Sequence, residues 1–124
     1  MADREIPGEV NILGTEYGIE VRRISENPDL KNYNRSAYCD KLSKLIVIAD
    51  LSEKEYVDIS TEQEIDYQKE LLRHEILHAF LNESGLWDNS CQPECGWAMN
   101  EEMIDWFSIQ SPKIFKAYQE VGAL

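Results

Sequence analysis

The pattern of apolar and polar positions divides the chain into an N-terminal part with strand character and a C-terminal part with helical character. Residues 10–24 (VNILGTEYGIEVRRI) alternate loosely between apolar and polar positions, which predicts one or two strands. Gly14 and Gly18 are the expected twist or bulge points in this segment. Residues 25–32 (SENPDLKN) have the composition of a turn.

A second segment with strand character follows this turn. A strand is predicted to begin at about residues 37–39, and residues 40–44 could reverse its direction. Residues 44–51 (KLIVIADL) form a short apolar, β-branched run, which is typical of a strand that is buried on at least one face. Residues 1–9, which precede all of these strands, are predicted to form a loose arm.

The period of the apolar positions changes from strand-like to helical at residue 60. Ser60 or Thr61 is a plausible N-cap, and Gly85 is a plausible stop at the C-terminal end. Between these ends, apolar residues recur at helical spacing; they are Ile65, Leu72, Ile76, Ala79 and Phe80.

Two further helices are predicted after a loop over residues 86–96. One helix covers residues 97–110 and is expected to end or kink at Ser111-Pro112, and a short helix follows over residues 113–124. Because the strands precede the helices and the length suits one domain, we expect residues 1–124 to form a single small α+β domain. Its short N-terminal sheet would pack on the helix that begins near residue 60.

Composition narrows the range of partners. Twenty-four acidic and twelve basic residues leave a formal charge of −12, which would repel phosphate backbones and argues against nucleic acid as a partner. The sequence contains no apolar run long enough for a transmembrane helix, and its start has no apolar core of the signal-peptide type. We therefore expect a cytoplasmic protein without a membrane partner.

The two histidines of the chain, His74 and His78, both lie in the segment RHEILHAF at residues 73–80. On a helix, side chains four residues apart share one face, so both imidazoles can converge on one ion. Glu75 follows His74 by about 100° of helical rotation, which places it beside such an ion. A general base that takes a proton from an activated water must lie there, so His-Glu-x-x-His indicates a metal-dependent hydrolase.

The same spacing could also arise from packing or by chance. The flanking residues are apolar, however, and an unpaired pair of imidazoles would be costly on a buried helix. A third ligand must be a carboxylate or a thiolate, because no third histidine exists. The carboxylate candidates lie in WAMNEEMIDWF at residues 97–107, and they are Glu101, Glu102 and Asp105. Cys91 and Cys95 could approach the metal, but two small buried thiols are the simpler interpretation.

The segment HEILH, followed by Asn100-Glu101 and Asp105, resembles the zincin metallopeptidases that use a glutamate ligand. Over about residues 35–110, the order of elements also resembles the very small ImmA/IrrE-type peptidase domains. The resemblance implies that His74, His78 and Glu101 bind Zn²⁺. It also implies that Glu75 is the general base and that Asp105 accepts a hydrogen bond from a liganding histidine.

Helical spacing favours Glu101 over Glu102 as the third ligand. Glu101 and Asp105 are four residues apart and can face the same histidine pair, whereas Glu102 lies a further 100° or so around the helix. Glu102 is nevertheless only three residues from Asp105, which is also within side-chain reach, so it remains the alternative.

The expected function is that of a zinc-dependent peptidase acting on a peptide or protein substrate, which could be one dedicated partner protein. The alternative is a non-catalytic zinc-binding interaction or sensor module on the same scaffold. If residues 44–51 formed the edge of the sheet, they could pair with an extended substrate. Candidates for stabilising the oxyanion, by residue type only, are Tyr17, Tyr38, Arg35 and Arg73.

Overall fold

The computed structural model describes residues 6–33, 35–52, 60–88 and 96–124. Within these residues a four-stranded sheet precedes two long helices, which confirms the α+β class. The strands are β1 (Glu9–Ile12), β2 (Thr15–Arg22), β3 (Ala37–Asp40) and β4 (Leu45–Ala49). The helices are α1 (Pro28–Asn32), α2 (Thr61–Glu83) and α3 (Glu101–Glu120).

A tight hairpin joins β1 to β2. Its two loop residues, Leu13 and Gly14, have φ angles of 50° and 93°, the combination that matches the twist of the flanking strands. The residue before β1 is already hydrogen-bonded to the sheet, because the carbonyl of Gly8 accepts from Ile19 N of β2 at 2.8 Å. Ile6 also packs against the core. Residues 6–9 therefore belong to the folded body and not to the predicted loose arm, and residues 1–5 lie outside the described residues.

The order of the strands is β1-β2-β4-β3, which makes β4 a central strand and β3 an edge strand. β4 runs parallel to β2 and antiparallel to β3. The suggestion that residues 44–51 lie at the edge is therefore wrong. Four consecutive residues of β4, from Ile46 to Ala49, are buried, because helices and loops cover both faces of this strand.

The segment read as a turn at residues 25–32 contains the short helix α1. Asn27 caps this helix by accepting from Leu30 N at 3.0 Å, and Pro28 occupies the first helical position, where its missing N–H costs nothing. The side chain of Leu30 is fully buried and packs with Val47 and Leu51 on one face of the sheet.

α2 covers the opposite face of the sheet. Ser60 and Gln63 form a reciprocal capping box at its start, which confirms the predicted N-cap. Gly85, with a φ of 87°, follows its end at Glu83. Apolar residues of α2, among them Ala79 and Ile76, pack against the core of β1, β2 and β4.

α3 differs from the expected pair of helices. Residues 97–99 form a single 3-10 turn, and α3 begins at Glu101 because Asn100 caps it by accepting from Met103 N at 2.7 Å. The helix then continues through Pro112 to Glu120, so the prediction of a separate short helix after residue 112 is wrong. Among the described residues, no helix is both long and apolar enough to cross a membrane.

Candidate metal centre

The two histidines of α2 point their Nε2 atoms at one location. The Nε2 atoms of His74 and His78 are 3.2 Å apart, and the ring centroids are 4.9 Å apart. Both side chains are mostly buried, with 19% and 13% of their surfaces exposed. This convergence follows from the four-residue spacing on a helix, as the sequence predicts.

Glu101, the first residue of α3, completes a triangle of donor atoms. Its Oε1 lies 2.7 Å from His78 Nε2 and 3.5 Å from His74 Nε2. Metal–ligand bonds of about 2.0–2.2 Å at tetrahedral angles place ligand atoms about 3.3 Å apart, which is close to the observed spacing. His74, His78 and Glu101 can therefore hold a metal ion.

Asp105 orients one of the histidines. Its Oδ1 lies 2.9 Å from His74 Nδ1, a hydrogen bond that keeps the proton on Nδ1 and leaves Nε2 with a lone pair for a metal ion. His78 differs, because its buried Nδ1 has no hydrogen-bond partner among the described residues. The orientation of His78 rests instead on packing, which includes an edge contact with the Trp87 ring at a centroid distance of 5.8 Å.

Glu75 lies next to the triangle without being part of it. Its Oε2 is 3.9 Å from His74 Nε2, and only 6% of the residue is exposed. Burial, reinforced by the nearby charges of Glu101 and Asp105, raises the pKa of Glu75 to about 8, while Arg35 acts in the opposite direction. A cation bound by the triangle would also lower this pKa, because it would be the largest charge nearby.

The remaining candidate ligands are Glu102 and the two cysteines of the loop before α3. Glu102 is exposed and lies outside the group of donors that share one location. Cys91 and Cys95 fall outside the described residues. Cys39, which the sequence did not single out, lines the cavity beside Glu75, and burial raises the pKa of its thiol to about 12.

Two cavities meet at the donor triangle. The first has a volume of about 450 Å³ and is bordered by the edge strand β3, by Arg35 and Trp87, and by His74, Glu75, His78 and Glu101. The second has a volume of about 410 Å³ and shares Ala37, His74 and Glu75 with the first. We call the two adjoining cavities the groove; the shared residues place their junction beside Ala37 of β3 and His74.

Of the four residues considered for stabilising the oxyanion, two line the first cavity and two do not. Arg35 and Tyr38 line the first cavity. Tyr17 is fully buried and donates its hydroxyl proton to Glu83 Oε2 at 2.6 Å, and Arg73 is bonded to the backbone of α3. Sequence reasoning missed Asn82 in the cavity wall, although its position four residues after His78 on the same helix face could have revealed it.

Comparison of the chain with protein-family models, curated proteins and solved structures gives no significant match. The chemistry of the site is therefore inferred from its ligand atoms. Two imidazole nitrogens and one carboxylate oxygen, with no fourth protein donor in the described part of the chain, correspond to a site that keeps one coordination position for water or substrate.

Proposed function

We propose that this chain is a zinc-dependent peptidase. The observation that carries the proposal is the triangle of donor atoms from His74, His78 and Glu101. The buried Glu75 carboxylate lies beside it, with Oε2 3.9 Å from His74 Nε2. Nitrogen and oxygen donors in a three-ligand set suit Zn²⁺ better than Ca²⁺ or Mg²⁺, which prefer oxygen ligands.

The chemistry divides between the ion and the side chains. Zinc, when bound, supplies the positive charge that acidifies water and polarises a carbonyl group. Glu75 accepts the proton of the attacking water and later donates it to the leaving amine of the cleaved peptide. Asp105 holds His74 in the tautomer that leaves Nε2 available, and the burial of Glu75 keeps its carboxylate poised for proton transfer.

The substrate would bind along β3. The carbonyl of Ser36 accepts from Ala49 N at 2.8 Å, and in an antiparallel ladder the residues that bond to one neighbour alternate with those that face away from it. Ala37 and Cys39 therefore direct their backbone N–H and C=O groups away from β4, towards the groove. An extended peptide would pair with these groups by adding a strand to the sheet. This role, first suggested for residues 44–51, belongs in our proposal to the edge strand.

The experiment compares the zinc-loaded wild type with Glu75→Gln on an unbiased peptide library, with cleavage read by mass spectrometry. We expect the wild type to cleave and the variant to retain zinc while losing about 10²–10⁴ in rate, because an amide cannot accept the proton. Glu62→Gln, an exposed glutamate in the first turn of α2, is the matched control and should cleave normally.

Two outcomes would count against the proposal. Cleavage by Glu75→Gln at the wild-type rate would mean that another group is the base. Stoichiometric zinc without cleavage of any peptide by the wild type would favour the non-catalytic metal-binding alternative.

A further inference from the structure

Arg35 lies in the wall of the first cavity, two residues before β3, and its side chain contacts two tyrosine rings. Its guanidinium carbon lies 4.9 Å from the ring centroid of Tyr33 and 5.0 Å from that of Tyr38. Its Nε also donates to the carbonyl oxygen of Asp29 at 3.4 Å. These contacts are two cation–π interactions and one hydrogen bond from the Nε–H group. Within the described part of the chain, no hydrogen bond involves the terminal nitrogens of this guanidinium, so they can donate to a ligand.

Arg35 forms no ion pair with any residue that the structure describes. In a chain with a net charge of −12, no carboxylate of the described residues lies within ion-pair distance of Arg35. Arg22, by contrast, pairs with Glu20 at 2.6 Å. The Arg35 charge also lowers the pKa of Glu75, so its field reaches the reacting groups.

The two halves of the groove differ in charge. The first cavity is lined by two cations, Arg35 and Lys41, as well as by Glu75 and Glu101. The second is lined by Glu70, Glu75 and Asp105, and its described lining includes neither lysine nor arginine. An anionic group of a bound peptide would therefore find cationic partners in the first cavity, whereas the second cavity would repel it.

We propose that Arg35 binds a carboxylate of the substrate, so that the site prefers peptides with an aspartate, a glutamate or a free C-terminus in the first cavity. This inference rests on the proposed peptidase function and names its substrate class. The planar guanidinium can bind a carboxylate through two parallel N–H···O bonds. The contacts with the two tyrosine rings restrict the side chain beforehand, so less side-chain freedom is lost when the carboxylate binds.

The test measures binding separately from cleavage. Zinc-loaded Glu75→Gln protein is titrated by calorimetry with alanine-based hexapeptides that carry one glutamate at successive positions. Matched peptides carry glutamine instead, and each peptide is prepared with a free and with an amidated C-terminus. We expect a glutamate or a free C-terminus to tighten binding about tenfold, as one charged hydrogen-bonded contact typically does.

Adding Arg35→Gln should remove this preference and leave the affinity for the neutral peptides unchanged, while Arg35→Lys should retain part of it. The matched control is Arg22→Gln, which removes the same charge outside both cavities. The zinc content of each variant should equal that of its parent, and each variant should remain folded at the temperature of the titration. If amidation of the C-terminus weakens binding, the bound group is the terminal carboxylate. If exchange of glutamate for glutamine weakens binding, the bound group is a side-chain carboxylate.

The inference is overturned if charged and neutral peptides bind equally, if no peptide binds, or if Arg22→Gln weakens binding as much as Arg35→Gln. The results separate it from the peptidase proposal. Cleavage by the wild type without a preference for carboxylates rejects the role of Arg35 alone. Carboxylate binding through Arg35 without cleavage of any peptide by the wild type rejects the peptidase proposal and leaves the binding site standing.

Discussion

The Nε of Arg73 donates a hydrogen bond of 2.6 Å to the backbone carbonyl oxygen of Ser108. In an α-helix that carbonyl would accept from the N–H of residue 112, but Pro112 has none. Arg73 on α2 therefore satisfies the acceptor that Pro112 leaves open on α3. Ser108 is almost completely buried, and its small side chain lets the two helices approach closely. The bond ties α3, which carries Glu101, to α2 at the residue next to His74.

Arg73→Met should reduce the free energy of unfolding by about 1–3 kcal/mol, because it leaves the Ser108 carbonyl without a donor. Pro112→Ala restores an N–H that can bond to this carbonyl, so the cost of Arg73→Met should shrink in that background. Urea unfolding of the four proteins in a double-mutant cycle measures the difference. An equal cost of Arg73→Met in both backgrounds would show that the two residues do not share this carbonyl.

Glu101→Ala should weaken zinc binding far more than Glu102→Ala, since only Glu101 contributes a donor atom to the triangle. We expect a loss greater than the roughly 10–100-fold that follows removal of an outer hydrogen-bond partner. Competition titration against a fluorescent chelator gives both affinities, starting from protein with about one zinc per chain. A larger loss of affinity for Glu102→Ala than for Glu101→Ala would identify Glu102 as the ligand.

Asp105→Ala should lower zinc affinity about 10–100-fold, because His74 loses the acceptor that fixes its tautomer and ring orientation. Stability should change little, since the side chain of Asp105 is 62% exposed. Asp66→Ala, which removes an exposed aspartate from the first half of α2, is the control. Equal zinc affinities in the two variants would exclude an orienting role for Asp105.

Glu83 should make the stability dependent on pH in the acidic range. Hydrogen bonds from Lys44 and Tyr17 hold its pKa at about 2, below the ordinary value of 4.5. A carboxyl whose pKa is lower in the folded state stabilises the fold above pH 4.5, and this contribution is lost as the pH falls towards 2. The difference in unfolding free energy between the wild type and Glu83→Gln should therefore shrink over that interval.

Chemical denaturation at a series of pH values measures this difference. Lys44→Gln removes the main cause of the lowered pKa and should weaken the same pH dependence. A difference that stays constant between pH 4.5 and 2 would contradict the assignment of this pKa to Glu83.

The features that could be predicted from the sequence are those set by local geometry. His74 and His78 converge because residues four apart on any helix share a face, and Ser60 caps α2 because its hydroxyl reaches an N–H three residues on. The apolar run at residues 44–51 identifies a strand for the same kind of reason. Neither its partners nor its place in the sheet follows from the run.

The remaining features depend on contacts between residues far apart in sequence. β3 is the edge strand because β4 pairs with β2 across more than twenty residues, and no local pattern records that choice. α3 passes through Pro112 with a bonded Ser108 carbonyl because Arg73, on another helix, supplies the missing donor. Spacing along α3 left Glu102 open as a ligand, and the packing of α3 on α2 brought Glu101 to the histidines. Side chains on one helix are placed by that helix alone, whereas a centre shared by two helices is placed by how they pack.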